Sequence, residues 1–153
     1  MKLMLVLSNI SFSSSSVTYA FEKAEKENYE LIVVFVLDEE IPDSVSSLLM
    51  YIGFLGPKPT EELKTTLLEE YKKRAQSELE RVEKLGNEKN IQMKKVLKKG
   101  RFVKEIIEVC EKEKPDFVIT SRPREPMLSQ VLSSYNLEEL KKKLGAKLIV
   151  IDE

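Results

Sequence analysis

The chain contains no histidine, which removes Ser-His-Asp and Cys-His catalysis, histidine general bases and every His-ligated metal centre. Its single cysteine, Cys110, permits neither an intrachain disulfide nor a CxxC redox or zinc motif. A disulfide-stapled secreted protein is thereby excluded. Tryptophan is absent too. An excess of charge is also lacking: 25 Lys and Arg against 26 Asp and Glu leave a net charge of −1, with no global pull toward nucleic acid or acidic lipid. Long apolar runs are missing as well. Leu3 to Leu7 is too short for a signal-peptide core and ends at Ser8-Asn9. Leu48 to Leu55 falls far short of the ~20 residues that span a bilayer. The expectation is a cytoplasmic protein with no membrane segment.

What is present fits one globular domain spanning residues 1–153, with 42% hydrophobic and 33% charged residues. Lys and Glu are abundant while Gln occurs only at positions 76, 92 and 130, a usage that leans toward a thermophilic source. Short apolar runs alternate with longer amphipathic segments. Leu3–Leu7 and the β-branched run Leu31–Leu37 read as strands buried on both faces. Between them Val17, Ala20, Phe21 and Ala24 recur at helical spacing, with Ser14, Ser15 or Ser16 as the N-cap. Residues 38–60 form an irregular insertion punctuated by Pro42, Gly53, Gly56, Pro57 and Pro59. A long helix starts at Thr60, carries the stripe Leu63, Leu67, Tyr71, Ala75, Leu79 and Val82, and stops at Gly86.

Ile91 to Leu97 alternates as a lateral strand, and the helix after Gly100 turns Phe102, Val103, Ile106, Ile107 and Cys110 to one face. Phe117–Ile119 is a fourth strand. A polar loop and a helix through Leu128, Val131, Leu132, Leu137, Leu140 and Leu144 lead past Gly145 to the fifth, Leu148–Ile151. The alternation predicts an α/β fold: one doubly wound, five-stranded parallel sheet of order 3-2-1-4-5, with helices on both faces, Rossmann-like. Ligands of such sheets bind beyond the strand carboxyl ends where the winding reverses, between strands one and four. The loops Ser8–Ser16 and Thr120–Ser134 are therefore the ones to watch.

The first loop presents Ser8, Asn9, Ser11 and Ser13 to Ser16 ahead of a helix. Hydroxyls and unpaired N–H groups there can hold an anion, or the serines simply cap the helix. With no glycine in the loop, a phosphate cradle of P-loop type is not expected. The second loop places Arg122 and Arg124 where an acidic ligand would arrive. Glu125 offers a local partner to either arginine, and Pro123 and Pro126 supply no N–H donors. Cys110 reads as a core residue. Asp38, Glu39, Glu40 and Asp43 read as a solvated loop rather than a metal site, and Asp152 as terminal and exposed. The lysine pairs 94–95 and 98–99 and the run 141–143 are interleaved with acids and lack aromatic neighbours, so nucleic acid is not an expected partner.

Taken together, the layout resembles the universal stress protein family over the whole chain. The resemblance rests on strand order, on the insertion after strand two, and on phrases such as Lys99-Gly100-Arg101-Phe102-Val103-Lys104-Glu105-Ile106-Ile107 and Pro115-Asp116-Phe117-Val118-Ile119. It implies the adenine nucleotide alpha hydrolase-like version of the fold. ATP-binding members place an Asp at the end of strand one. After strand four they carry Gly, two residues, Gly, nine residues, Gly, then Ser or Thr. Here the Asp position falls on Asn9, and the motif falls best on Thr120, Pro123 and Ser133, followed by Ser134, or one residue later from Ser121, which restores no glycine. The spacing is kept and every glycine is replaced, removing the backbone freedom that brings N–H groups onto phosphates.

The resemblance thus implies a non-enzymatic, dimeric stress-response protein without tight ATP binding. The alternative is a regulator or slow ATPase of the same fold that binds ATP or AMP. Its ligand would meet Asn9, Ser11, the backbone near Val36, Thr120, Ser121, Arg122, Ser133 and Ser134. A flavodoxin-like flavin protein is a further alternative, short of the aromatic residues that would sandwich the ring. The family pairs through its last strand. An apolar edge strand of Leu148, Ile149, Val150 and Ile151 independently asks for a covering partner. The apolar segment Leu48–Leu55 would form either a lid over the strand ends or part of an interface.

Overall fold

The computed structural model describes residues 1–8, 14–38, 60–122 and 137–152. Strand β1 (Lys2–Ser8) leads to helix α1 (Ser14–Glu27), then to strand β2 (Glu30–Leu37) and the long helix α2 (Thr60–Glu88). Strand β3 (Met93–Lys99), helix α3 (Phe102–Glu113), strand β4 (Phe117–Arg122), helix α4 (Leu137–Leu144) and strand β5 (Leu148–Asp152) complete the order. All neighbouring strands pair in parallel, in the order β3-β2-β1-β4-β5, as the alternation predicts.

The central strands are apolar at successive positions because both faces of the sheet are covered. Odd-numbered Leu3, Leu5, Leu7, Leu31, Val33 and Phe35 pack under Val17, Ala20 and Phe21 of α1 and Ala75, Leu79 and Val82 of α2. Even-numbered Met4, Val6, Ile32, Val34 and Val36 pack under Phe102, Val103, Ile106 and Val109 of α3 and Leu140 of α4. Each such aliphatic side chain contributes roughly 1.5–3 kcal/mol by leaving water. Pairing register then decides which polar side chains share an end of the sheet.

Several boundaries differ from the sequence expectation. Helix α1 begins at Ser14, so Ser14, Ser15 and Ser16 lie in its first turn rather than ahead of it. Gly86 does not stop α2, which continues to Glu88. A Cβ at Gly86 would stand 2.8 Å from the Met93 methyl, so this glycine lets β3 pass close to the helix. The chain reverses instead at Asn90, whose φ of 56° is left-handed, a conformation asparagine tolerates well. β3 runs two residues later than its alternation suggests, because Leu31 to Leu37 set the register against Met93 to Lys99. The Leu48–Leu55 segment and the part of the last helix before Leu137 lie outside the described residues.

Candidate functional site

Beyond Leu7 the apolar run of β1 gives way to Ser8, and beyond Leu37 that of β2 gives way to Asp38. In β4, Ile119 gives way to Thr120 and Ser121. The buried polar side chains among the described residues are Ser8, Ser16, Asp38, Thr120 and Ser121, each at most 1% exposed. All five stand at one end of the sheet. Ser8 pairs in register with Val36, and Leu5 pairs with Ile119, so Thr120 and Ser121 follow that pair toward the carboxyl end of β1. Ser16 occupies the first turn of α1, on the side that buries Val17 and Ala20. A cluster of desolvated hydroxyls and one carboxylate thus sits where the order of winding reverses, the usual ligand position of a doubly wound sheet.

Thr120 stands out within this cluster. Its Oγ1 is buried and has no hydrogen-bond partner among the described residues, whereas none of the other four is without a partner. A buried hydroxyl left unpaired costs about 1–3 kcal/mol, and such groups in native folds call for an explanation.

The end of β4 differs from the expected loop. Thr120, Ser121 and Arg122 belong to the strand, paired with Val150, Ile151 and Asp152 of β5. The pairing fixes the fate of Arg122, whose Nη1 lies 3.2 Å from Asp152 Oδ1. The guanidinium is matched by the last strand, a partner that the reading centred on Glu125 did not consider. Glu125 itself lies outside the described residues, as do Asn9, Ser11, Ser133 and Ser134. Val36 is fully buried in β2, with its backbone beside Ser8.

Asp38 corrects a second expectation. It was expected in solvent with Glu39, Glu40 and Asp43, and it is buried and partnered. Its position directly after seven apolar residues was the available signal. A strand buried on both faces carries its next residue into the interior. The Gly100 N–H donates to the Leu37 carbonyl at 3.0 Å, so the turn into α3 is pinned to the same end of β2. Cys110 is half-buried on α3, and burial pushes its thiol up to about 11. That environment suits packing and not nucleophilic attack.

Away from this end, polar contacts are structural. The Lys2 N–H donates to Asp116 Oδ2 at 2.9 Å, and the Asp116 N–H donates to the Lys2 carbonyl at 2.8 Å. Glu113 is held below the usual glutamate range by its hydrogen bond to Lys94, with Lys2 adding to the effect. Lys23 lies 4.6 Å from the centre of the Phe117 ring, which meets Tyr29 edge-on. These contacts tie the amino ends of the strands together. No helix among the described residues is long and apolar enough to cross a membrane, and those residues hold no group of three or more metal-ligating side chains.

Comparison with known proteins places these features in context. The model of the universal stress protein family matches residues 1–151. Universal stress protein UspA from Lactobacillus plantarum is similar in structure, with a TM-score of 0.69 at 13% identity, covering 99% of this chain and 97% of that one. A universal stress protein family protein from Arabidopsis thaliana, solved with AMP bound, gives 0.57 at 13% identity, over 100% and 92% of the two chains. A universal stress protein solved in complex with cAMP gives 0.58 at 11% identity, over 98% and 96%. A search of the curated proteins finds no match.

Proposed function

The chain belongs to the universal stress protein family, and on that premise we propose that it is a non-enzymatic, dimeric stress-response protein that does not bind ATP tightly. The observation that carries this reading is the replacement of the motif glycines, to which the exposed Arg122–Asp152 ion pair, worth about 0–1 kcal/mol, adds. A guanidinium at the carboxyl end of β4 is the natural partner of phosphate oxygens, and here a carboxylate already matches it. The motif positions agree: Thr120, Pro123 and Ser133 replace the glycines, and Pro123 has no N–H to offer. Turnover would need a perturbed base or nucleophile near the strand ends. The chain has no histidine, and its one thiol is held far above neutrality.

The place of β5 at the edge of the sheet supports dimerisation through it. Leu148, Ile149, Val150 and Ile151 are only half-buried there, and pairing with a second β5 would cover them. Beside the strand an open groove of about 390 Å³ is lined by Ser15, Thr18, Tyr19, Glu22 and Ile151. Sedimentation equilibrium should give twice the 17.6 kDa chain mass, with Ile149→Lys sedimenting as the monomer. Incubation with Mg-ATP should release no phosphate. A monomeric wild type, or phosphate release that scales with protein, would overturn the proposal.

A second reading draws support from Thr120, whose unpartnered buried hydroxyl is suited to meeting a ligand, and from similar proteins solved with AMP or cAMP. It makes the chain an adenine-nucleotide-binding regulator, its ligand set against Asn9, the backbone at Val36, Thr120, Arg122 and Ser134.

A further inference from the structure

Tyr71 stands apart from the rest of the α2 stripe. Ala75, Leu79 and Val82 pack with the odd-numbered face of the sheet. Half-buried Tyr71, one turn earlier, packs instead with the group on the opposite face, which holds Val36, Phe102 and Val103. The register of α2 on β3 gives the reason. Gly86 lies beside Met93, and Lys95 pairs with Glu83. Four further strand residues rise about 13 Å, as much as about nine helical ones, so Lys99 at the end of β3 is level with Arg74. Tyr71 therefore lies about 4–5 Å past the strand ends. From there a side chain of α2 reaches over the sheet toward Val36 at the end of β2 and Phe102 at the start of α3.

A tyrosine so placed has a half-covered ring and a hydroxyl that makes no hydrogen bond among the described residues. Burial raises the phenol above its usual value, so at neutral pH it stands ready to donate. Thr120, on β4, carries another hydroxyl without a partner. β2 and β4 flank β1, so two strand spacings, about 10 Å in all, separate their ends. The buried polar side chains at this end, Ser8, Ser16, Asp38, Thr120 and Ser121, are hydroxyls and one carboxyl group, with no cation among them. A phosphate buried there would leave its charge unmatched.

We propose that Tyr71 and Thr120 mark the two ends of one site for an uncharged nucleoside, with the base against the Tyr71 ring and the sugar hydroxyls toward Thr120. The proposal rests on this end of the sheet being a ligand site, and it parts from the nucleotide reading in giving phosphate no role. A base stacks on an aromatic side chain whatever its edge pattern. Ribose hydroxyls both donate and accept, which matches a threonine that can do the same. The span of about 10 Å suits a base joined to a sugar and exceeds a single sugar ring.

The test is isothermal titration of the full, nucleotide-stripped chain with adenosine, whose purine offers the ring a large face, and with AMP in parallel. Adenosine should bind, and AMP about fivefold or more weakly. Tyr71→Ala should weaken adenosine binding about tenfold or more. Tyr71→Phe, which keeps the ring, and Thr120→Val should each weaken it about fivefold. Circular dichroism confirms folding, and Tyr71→Phe carries the test should the alanine variant misfold. Adenosine binding that the Tyr71 variants leave unchanged would overturn the proposal. So would AMP that binds at least as tightly as adenosine, a result that leaves the nucleotide reading standing. No heat from either ligand would overturn both, and would leave the reading without tight ATP binding in place.

Discussion

Replacing Thr120 with valine is expected to stabilise the ligand-free protein. The Thr120 side chain is fully buried and its Oγ1 has no hydrogen-bond partner among the described residues. Folding therefore strips a hydroxyl of water without return, at a cost of about 1–3 kcal/mol. Valine keeps the branched shape, exchanges the hydroxyl for a methyl group, and is at least as well suited to a strand. Recovering that cost should raise the melting temperature by about 2–12 °C in a chain of this size, where 1 kcal/mol moves it about 2–4 °C. Urea denaturation followed by circular dichroism should show a higher midpoint with an unchanged slope. If the hydroxyl is retained to meet a ligand, the same variant should weaken AMP binding about fivefold, as loss of one neutral hydrogen bond would. A loss of about 1 kcal/mol or more in the valine variant would refute the reasoning, because it would mean that the hydroxyl has a partner in the folded protein.

Glu113→Gln should lower stability at neutral pH by removing the anion that Lys94 and Lys2 share. The folded pKa of Glu113 is depressed, so its contribution is present above the unfolded value and is lost as pH falls through the folded one. The difference between wild type and variant, followed by denaturation, should therefore shrink as pH drops below about 4.5, and a difference that grows there would contradict the assignment. Cys110, with its thiol near 11, should be almost wholly protonated at pH 8. Its reaction with a disulfide reagent should be about 100-fold slower than that of a free cysteine, whereas a rate matching free cysteine would show that the thiol is neither shielded nor shifted.

The fold was legible because the strands are extreme. Leu3–Leu7 and Leu31–Leu37 are apolar at every position, a pattern that only a sheet covered on both faces requires, and alternation with helical stripes then leaves few topologies. Single residues at the strand ends were less legible for the same reason. Asp38 and Thr120 look like the first polar residues of loops, yet parallel pairing extends burial past the apolar run. Arg122 found its partner thirty residues away in sequence, through the pairing of β4 with β5, and a local reading could offer only Glu125. Gly86 carried a stop signal that the close passage of Met93 explains differently. At the candidate site, topology pointed to the carboxyl ends of β1 and β4. The distribution of polar partners within them needed three dimensions.

The proposed absence of tight ATP binding rests on Thr120, Pro123 and Ser133, which stand where the resemblance to ATP-binding members of the family places glycines. Its most direct test is isothermal titration of purified, nucleotide-stripped protein with Mg-ATP, run beside AMP. The account predicts no heat from Mg-ATP at concentrations up to about 1 mM, a dissociation constant weaker than about −4 kcal/mol of binding free energy. Micromolar binding of Mg-ATP would contradict it, and would mean that a triphosphate is held without the motif glycines and with Arg122 drawn away from Asp152.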